Sequence, residues 1–596
     1  MNIETIPALL THAATLHGPR LALRQPVGKD VHTWTWSQYL EAAEEIAGGL
    51  HALGIHKGDH VAICSETRAE FYLADQGILM NGSVSAAVYP SYPPDELKIT
   101  IAKSGAKALF VEDLKTWRKL KDAAVDYIFL LTGEPEAPDK TDKEEGHPKT
   151  VLSLAQLRKY GRFSASVEPT DNAILYLTSG ATGEPRMVMV THGSLVANIK
   201  MGPAVLPLTP DDITVAFLPS AHIAQRVVVE LLPILSGTPV SFAESLLKLA
   251  GEIKAVRPTF FLAPPRVWER IYTSIRTEIL KKPALVQKAF FAALGMGLAA
   301  ARHRRKGERV PWRLRIPLDI PLDLAHRVIF GKIRERFGGR LRIAASGAAP
   351  LAAELAEFYE AIGMPLIEGY GLTEGGVAAL NPIDAPKPGS IGKALPGVEF
   401  RLGDEGELLI RSACLSAGYY NDPEATAEVF RDGWLHTGDI GTIESDGYIY
   451  ITGRKKELIV SSNGKKIFPA RVESLFKFEP LINQVVLAGD RLPHLVALFT
   501  IHATFAESIE GAKDSGLPLH QAPQVHAEVQ KIVNRINRQL APFEQVKRFR
   551  IVEREFTIEH GEVTATMKVR RKQVLENFSV ELDALYQLSS SGRGGE

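Results

Sequence analysis

The sequence predicts an α/β protein: a large N-terminal domain of mostly parallel sheets flanked by helices, followed by a small α+β domain. Three observations support this fold class. The chain has 596 residues, more than one hydrophobic core normally serves. Apolar strand-like runs alternate with helical patterns for most of its length, as in parallel sheets covered by helices. Shorter strand-like pieces begin near residue 453, which predicts domains at 1–452 and 453–585 and a disordered tail at 586–596.

The elements of the large domain follow from local patterns. Thr191 is predicted to cap the helix that begins in THGSLVANIKM, because a threonine hydroxyl accepts a free N–H group at a helix start. The charged, proline-bearing segment 132–149 predicts a surface excursion. Helical patterns occupy 223–235, 264–279 (opened by two prolines) and 351–363, and apolar runs predict strands at 215–220, 258–263, 341–346 and 365–374.

Composition excludes several classes of protein. Lys plus Arg (69) balances Asp plus Glu (69), so overall charge gives no argument for nucleic-acid binding. Cys64 and Cys414 are the only cysteines, which argues against a disulfide framework or a cysteine metal site and favours a reducing compartment. The first twenty residues lack the basic and apolar regions of a secretory signal. We therefore predict a cytoplasmic protein.

No run reaches the roughly 18–20 uninterrupted apolar residues of a membrane span. The nearest approach is AFFAALGMGLAA (289–300), which leads into the basic run 302–306. An apolar helix with a cationic end can lie on an anionic membrane surface. A buried helix that leads into a solvated loop accounts for the same pattern, so peripheral membrane contact stays open.

The most informative segment is YLTSGATGEPRMVMVTH (176–192), a small-residue turn between two apolar runs. Glycines let backbone N–H groups approach an anion, hydroxyls add donors, and a cation offsets phosphate charge. The pattern favours a nucleotide-triphosphate loop that lacks the Walker spacing, although an ordinary polar turn is the alternative. The candidate nucleotide-binding residues here are Thr178, Ser179, Gly180, Thr182, Gly183 and Arg186.

This loop resembles the signature of the adenylate-forming (AMP-binding) superfamily, whose usual pattern is TSGTTG-x-PKG. The chain has Ala181 for a threonine, Arg186 for a lysine and Met187 for a glycine. Arg186 keeps the charge, whereas Ala181 removes one ligand for phosphate or Mg²⁺. The resemblance implies two domains of which the C-terminal one is mobile.

Five further segments match the superfamily in the expected order: SGAAP (346–350), EGYGLTE (368–374), WLHTGDIG (434–441), GRKKELIVSSNGKKIFP (453–469) and TATMKVRR (564–571). Read alone, each has a plain explanation as a glycine-rich turn, a solvated basic strand or a solvent-facing lysine. Their order along one chain is what supports the resemblance.

The resemblance implies a role for each matching residue. Gly347, Ala348 and Ala349 would flank the adenine, and Tyr370 would stack on it beside Gly371. Thr373 would contact the α-phosphate, Glu374 and Thr178 would hold Mg²⁺, and Asp439 would accept hydrogen bonds from the ribose. Arg454 would contact ribose or phosphate, Lys456 would be the hinge, and Lys568 would be the mobile catalytic lysine.

In detail the chain looks most like long-chain fatty acyl-CoA synthetases, through LPSAHIAQR (218–226), PPRVWER (264–270) and LRIAASGAAPL (341–351). His222 and Trp268 would then belong to the acyl site. The implied substrates and cofactors are a fatty acid, ATP, Mg²⁺ and coenzyme A, joined through an acyl-adenylate into a thioester. A fatty acyl-AMP ligase that loads a carrier protein, and a non-catalytic acyl- or nucleotide-binding protein, are the alternatives. A homodimer also stays open.

Overall fold

The computed structural model describes residues 3–135, 149–179, 185–305, 327, 329–564 and 567–587. Most of the predicted surface excursion at 132–149 lies outside these residues, as does nearly all of the predicted tail at 586–596.

The strands below are numbered in chain order. They are β1 (Leu21–Val27), β2 (Asp30–Thr35), β3 (His60–Cys64), β4 (Val84–Val88), β5 (Ala106–Val111), β6 (Tyr127–Leu130), β7 (Thr150–Ser153), β8 (Asn172–Ser179), β9 (Pro185–Thr191), β10 (Thr214–Ala216), β11 (Val240–Phe242), β12 (Phe260–Ala263), β13 (Ile343–Ser346), β14 (Leu366–Leu372), β15 (Gly376–Leu380), β16 (Lys393–Ala394), β17 (Glu399–Leu402), β18 (Glu407–Arg411), β19 (Gly418–Tyr419), β20 (Phe430–Arg431), β21 (Trp434–Ile443), β22 (Ile449–Arg454), β23 (Ile459–Val460), β24 (Lys466–Ile467), β25 (Ile482–Ala488), β26 (Leu495–Ile501) and β27 (Val546–Ile551).

The α-helices are numbered in the same way. They are α1 (Ile6–His17), α2 (Trp36–Ala52), α3 (Ala69–Met80), α4 (Pro94–Ser104), α5 (Leu114–Lys119), α6 (Leu154–Leu157), α7 (His192–Val205), α8 (Leu232–Ser236), α9 (Leu249–Val256), α10 (Pro265–Leu280), α11 (Ala284–Arg305), α12 (Phe330–Arg334), α13 (Ala353–Ala361), α14 (Pro423–Val429), α15 (Pro469–Lys477), α16 (Ala503–Ala506), α17 (Pro523–Asn537), α18 (Arg571–Asn577) and α19 (Ser579–Gln587).

Two large sheets form the body of the molecule. The nine-stranded sheet has the order β16-β15-β14-β13-β12-β10-β11-β1-β2, and the eight-stranded sheet has the order β19-β9-β8-β4-β3-β5-β6-β7. The strands from β14 to β1 in the first sheet pair in parallel, as do those from β8 to β7 in the second, with antiparallel strands at the edges. The predicted fold class, mostly parallel sheets flanked by helices, is confirmed.

The largest apolar core lies between these two sheets. It contains side chains from both sheets together with helices α1, α2, α3 and α7. A second core covers the opposite face of the nine-stranded sheet with helices α9 to α13. Alternation along β12 decides which core a side chain joins: Phe260 and Leu262 enter the central core, whereas Phe261 and Ala263 enter the second one.

An antiparallel sheet follows, ordered β17-β18-β21-β20, with β22 also paired to β21. Because β22 extends to Arg454, the chain leaves this sheet at Lys455. Beyond it, β25 and β26 pair antiparallel, β27 adds in parallel, and α15 and α17 pack on this small sheet. The division of the chain at 452/453 stays a prediction; the name "small domain" is used below for residues 453–585.

Local sequence explains several helix boundaries. Thr191 caps α7, since its side chain accepts from Ser194 N, as predicted. The predicted helix at 223–235 instead begins as a π-helix, Gln225–Leu231, before α8. Such π-helical turns are rare and are frequent at functional sites.

Helix α11 covers the apolar segment at 289–300. By length and composition alone, residues Ala284–His303 are long and apolar enough to cross a membrane, although Gln287 and Lys288 interrupt the apolar run. Only 22% of the most apolar window is buried in the protein. It packs on α13 and α10 and leaves Leu285 and Phe291 exposed.

Candidate active site

A cavity opens at the carboxyl ends of β12, β13 and β14, the edge at which parallel sheets usually bind ligands. It holds about 790 Å³ of empty space, the solvent at its mouth included. Its polar side is formed by residues predicted for the site: His222, Gly347, Ala348, Tyr370 and Gly371. Its apolar side is formed by α7, the π-helix and the sheet, with Ile199, Leu206, Val227, Val228, Leu262 and Leu395.

The backbone of the loops after β13 and β14 is closely constrained. Ala348 has φ +68°, a left-handed conformation that costs energy for a residue with a Cβ atom, and such strain concentrates at ligand sites. A Cβ atom on Gly371 would lie 2.5 Å from the carbonyl oxygen of Gly376 in the β14–β15 hairpin, so only glycine fits there. Ala349 is half-buried beside this loop but does not line the cavity.

Tyr370, Asp439 and Arg454 form one hydrogen-bonded group. The Tyr370 hydroxyl donates to Asp439 Oδ2 at 2.6 Å, and Arg454 Nε donates to Asp439 Oδ1 at 2.8 Å. Asp439 and Arg454 are opposite each other in the β21–β22 pair, which joins two motifs fifteen positions apart. Burial and the Asp439 carboxylate raise the pKa of Tyr370 well above its usual value, so the phenol stays a donor.

The Asp439 side chain is only 3% exposed, whereas that of Arg454 is 42% exposed. Partial burial opposes the charge on Arg454, but Asp439 outweighs it and raises the pKa of the guanidinium. The free lone pairs of the carboxylate and the exposed guanidinium N–H groups are therefore fixed in place beside Tyr370, which lines the cavity. This arrangement can bind a diol and an anion side by side.

The predicted phosphate loop is described only at its two ends. Thr178 is opposite Arg186 in the β8–β9 pair, and its hydroxyl donates to the Arg186 carbonyl oxygen at 3.2 Å. The side chain of Ser179, and Gly180, Thr182 and Gly183, lie outside the described residues. The predictions for them stay untested.

Arg186 and Glu374 are brought together by a residue that the sequence analysis missed, Tyr419. The Arg186 guanidinium lies 5.3 Å from the centre of the Tyr419 ring and 3.7 Å from a carboxylate oxygen of Asp422. The Tyr419 hydroxyl donates to Glu374 Oε1 at 2.7 Å. Burial and Glu374 raise the pKa of Tyr419. Tyr419 lies in the two-residue strand β19, which pairs with β9, and the Gly-Tyr-Tyr sequence there had no local signal strong enough to reveal it.

Thr373 and Glu374 lie in the turn between β14 and β15, both half-buried. Among the described residues, no three His, Cys, Asp or Glu side chains are grouped so as to hold a metal ion. Glu374 is nonetheless suited to Mg²⁺, which is usually held by one or two carboxylates while substrate phosphates and water complete its shell.

Lys568 faces the same region from the small domain. Its backbone is fixed by Thr564, whose N–H donates to the Lys568 carbonyl oxygen at 2.8 Å and whose hydroxyl accepts from Lys568 N at 3.0 Å. Loss of hydration at the cleft and the Arg454 cation lower the pKa of the Lys568 ammonium, while Asp439 acts in the opposite direction. Burial and Lys568 lower the pKa of His222 to about 4. The Lys568 side chain is exposed, and its charge acts on His222, a residue that lines the cavity.

The two predicted acyl-site residues are not together. His222 lines the cavity, and its Nδ1 accepts from Ala224 N at 3.2 Å. Trp268 is fully buried on the opposite face of the nine-stranded sheet, where it packs on Phe261 and donates to the carbonyl oxygens of Ala263 and Ala345. Sequence could not tell the two faces apart. Trp268 does not itself line the cavity, but its Nε1 donates to the carbonyl oxygen of Ala345, a residue that does, so its predicted place in the acyl site stays a prediction.

Lys456, the predicted hinge, is exposed in the short helical turn Lys455–Glu457 directly after β22.

Asn198 is a second residue that the sequence analysis missed. It lines the cavity and ties α7 to β15, since its amide donates to the Val377 carbonyl oxygen and accepts from Val377 N, at 2.8 and 2.9 Å.

Comparison with known proteins agrees with this geometry. The family described as AMP-binding enzyme matches residues 10–420, and its C-terminal domain family matches residues 456–590. A long-chain-fatty-acid–CoA ligase, FadD15, of Mycobacterium bovis is 34% identical over 93% of this chain and 92% of its own. Long chain acyl-CoA synthetase 7, peroxisomal, of Arabidopsis thaliana is 29% identical over 98% of this chain and 87% of its own.

Solved structures share the fold. The adenylation domain of a carboxylate reductase from Mycobacterium chelonae superposes with a TM-score of 0.78 at 22% identity, covering 98% of this chain and 91% of that one. The anthranilate CoA ligase AuaEII, in complex with anthranoyl-AMP, gives a TM-score of 0.73 at 19% identity, covering 98% and 99%. Together with the matched residues, these findings show that the chain belongs to the AMP-binding enzyme family.

Proposed function

We propose that this protein is an ATP-dependent long-chain fatty acid–CoA ligase. In the first half-reaction a fatty acid carboxylate attacks the α-phosphorus of ATP, which releases pyrophosphate and leaves an acyl-adenylate. In the second, the CoA thiolate attacks the adenylate carbonyl and AMP leaves. The observation that carries the proposal is that one largely apolar cavity ends at Tyr370 and Gly347, beside the Asp439–Arg454 pair.

The geometry around Tyr370 supports the proposed nucleotide half of the site. The Tyr370 ring would support the adenine, and its hydroxyl, which donates to Asp439 Oδ2, would orient that carboxylate toward the ribose hydroxyls. Arg454 would contact the ribose or the phosphates with the N–H groups that Asp439 leaves free. Arg186 and Thr178 would hold the phosphates together with the loop at 180–184.

Charge stabilisation would come from Lys568 and Thr373 at the α-phosphate. A preorganised cation at developing charge in a partly dehydrated cleft is worth far more than it is in water. The lowered pKa of the Lys568 ammonium reflects that same loss of hydration. Glu374, held by Tyr419, would bind Mg²⁺, which when present neutralises phosphate charge. Lys456 would be the hinge between the two half-reactions.

The acyl half of the site is the apolar side of the cavity. His222, kept neutral by burial, would lie where the carboxylate meets the nucleotide. Each methylene buried against Val227, Val228 or Leu262 contributes about 0.8 kcal/mol. Affinity should therefore rise with chain length until the available space is filled, less the cost of ordering the chain.

The test is an ATP- and CoA-dependent thioester assay with acids from C4 to C20, with Lys568→Ala as the inactive control. We expect kcat/KM to climb from C4 into the long-chain range. A flat profile, or a maximum at C2–C4, would reject the fatty-acid assignment and leave adenylation standing. AMP release that requires a holo-carrier protein instead of CoA would favour the acyl-AMP ligase. Acyl binding without AMP formation would favour the non-catalytic alternative.

Peripheral membrane contact of an otherwise cytoplasmic enzyme is a second part of the proposal. It is supported by α11, where Leu285 is 80% exposed and Phe291 38% exposed, ahead of the basic run at 302–306. Co-sedimentation with vesicles containing anionic lipid should fall in Leu285→Glu, with Leu247→Glu, at another exposed apolar position, as the matched control. A homodimer is the alternative assembly, which analytical ultracentrifugation would decide.

A further inference from the structure

Helix α10 connects the large domain to the small domain. Its Trp268 side belongs to the second core of the large domain. On another side, Arg266 Nη2 donates to Asn483 Oδ1 at 2.9 Å and Nη1 donates to the Asn483 carbonyl oxygen at 3.2 Å. Asn483 lies in β25 and is 4% exposed, and the Arg266 side chain is 14% exposed. This is a two-point, buried contact across the domain boundary.

Nearly two turns further along α10, an aromatic pair crosses the same boundary. The Tyr272 ring stacks on Phe478 with centroids 4.9 Å apart and planes 17° from parallel. Tyr272 also meets Phe358 of α13 edge-on at 4.8 Å. The stack therefore continues the core of the large domain into the small domain.

Charged groups surround this contact. Glu555 lies 4.0 Å from Arg266 at its edge, and burial raises the pKa of Glu269 against the opposing effect of Lys477 in α15. Burial and Arg266 lower the pKa of His502 to about 4, so His502 is neutral at pH 7 and adds no repulsion. The Arg266 guanidinium therefore contacts the small domain through neutral Asn483, and its nearest carboxylate there, Glu555, is 4.0 Å away.

The contact is not optimised for permanent closure. Among the described residues, Arg266 Nε and Asn483 Nδ2 are buried without a hydrogen-bond partner. Each buried unpaired donor costs free energy that is recovered when water reaches it. The closed contact is therefore held by two hydrogen bonds and one aromatic stack, and two donors favour opening it.

We propose that Arg266–Asn483, together with Tyr272–Phe478, is a reversible latch that holds the small domain in the orientation that presents Lys568 to the cavity. This rests on the proposed function, because it assigns the closed latch to adenylate formation and the open latch to thioester formation. Arg266 and Asn483 are positioning residues: they act on the reaction through the placement of Lys568.

The test separates the two half-reactions in the full-length protein. Adenylation is followed by fatty-acid-dependent pyrophosphate exchange, and thioester formation by CoA-dependent consumption of supplied acyl-AMP. Arg266→Ala should slow adenylation by about tenfold, the effect of losing one to two hydrogen bonds, and leave thioester formation unchanged or faster. Arg266→Lys should recover part of the adenylation rate.

Asn483→Asp should have the opposite effect. A carboxylate facing the guanidinium makes a stronger, charge-assisted hydrogen bond, so the latch opens less readily and thioester formation slows while adenylation is kept. Arg336→Ala, which removes a surface arginine of the large domain paired with Glu278, is the matched control and should change neither step.

Equal loss of both steps in Arg266→Ala, or no change in either, would overturn the latch. So would Asn483→Asp that leaves thioester formation at the wild-type rate. These outcomes differ from failure of the proposed function, in which the unaltered protein forms no acyl-adenylate from any fatty acid. If Arg266→Ala folds poorly by its melting temperature, Arg266→Lys and Asn483→Asp still carry the test.

Discussion

A buried ion pair behind the acyl cavity gives a prediction whose size follows from its environment. Arg226, in the π-helix, contacts Asp75 of α3, and both side chains are fully buried. Arg226 also donates to Ser85 Oγ at 2.7 Å, and Gln76 donates to Glu230 Oε1 at 3.1 Å. The two residues after Arg226 line the cavity. The pair therefore fixes one wall of the acyl site from behind.

Arg226→Met removes the cation and leaves Asp75 buried without its partner. Breaking one side of a buried pair costs about 3–5 kcal/mol, since the remaining charge is neither hydrated nor neutralised. The Arg226→Met/Asp75→Leu double variant replaces both members of the pair by apolar groups and should recover part of that loss, while buried Glu230 still lacks the Arg226 cation. The losses of stability in the two single variants should therefore not add up in the double variant.

Loss of the Arg226–Asp75 ion pair should also let the adjoining wall of the acyl cavity move. If contact with two methylenes of the longest acids is lost, kcat/KM for those acids falls by about fifteenfold, because each methylene is worth about 0.8 kcal/mol. Acids too short to reach this wall should be unaffected, and KM for ATP should not change. The size of the effect on kcat/KM therefore depends on chain length.

The assay combines thermal unfolding of the four proteins of the cycle with the chain-length profile of each. Arg24→Met, which removes a partly buried arginine that donates to Ser241, serves as the matched control for loss of an arginine. An Arg226→Met protein with unchanged melting temperature and unchanged profile would refute the reasoning. A double variant less stable than either single variant would refute the pairwise account of the wall.

Four further predictions concern the site and the core. Lys568→Ala should slow adenylation by about 10²–10³ and spare thioester formation from supplied acyl-AMP; equal loss of both would remove the proposed role. Glu374→Gln should raise the Mg²⁺ midpoint at saturating ATP and Tyr419→Phe should raise it less, whereas an unmoved midpoint in Glu374→Gln would exclude that carboxylate from the metal site. Lys456→Pro should keep adenylation and abolish thioester formation, because proline fixes φ near −65°, and full turnover would place the pivot elsewhere. Burial lowers the pKa of His192 to about 4, against about 6.5 in the unfolded chain, so the unfolded chain binds the proton first as the pH falls. About 2 kcal/mol of the free energy of unfolding is therefore lost by pH 5. His192→Asn should lose less stability in acid in unfolding titrations, and a pH profile identical to that of the unaltered protein would contradict this.

Local sequence was sufficient for many of the elements, and it indicated candidate site residues whose roles stay predictions. Short apolar runs that alternate with helical patterns predicted the parallel strands, and Thr191 marked the start of α7. Both signals depend only on neighbours within a few positions. The glycine-rich turns at Gly347 and Gly371 were visible because backbone approach to a ligand demands small residues at fixed positions. The resemblance of six ordered motifs then indicated the family, which the comparisons confirmed.

Tertiary structure decided what these residues contact. The β21–β22 register places Arg454 on Asp439, and a two-residue strand brings Tyr419 between Arg186 and Glu374. No local pattern encodes such pairings, since register and strand order are set by packing of the whole domain.

The same reason separates Trp268 from the cavity. Period-two alternation tells that neighbouring side chains take opposite faces of a strand, but only the assembled layers decide which face holds the ligand. The sequence by itself therefore determined the family and the fold class and indicated the loops of the candidate site. The acyl wall, its buried ion pair and the contacts of α10 with the small domain were decided by tertiary packing, because they join residues some 150 to 220 positions apart.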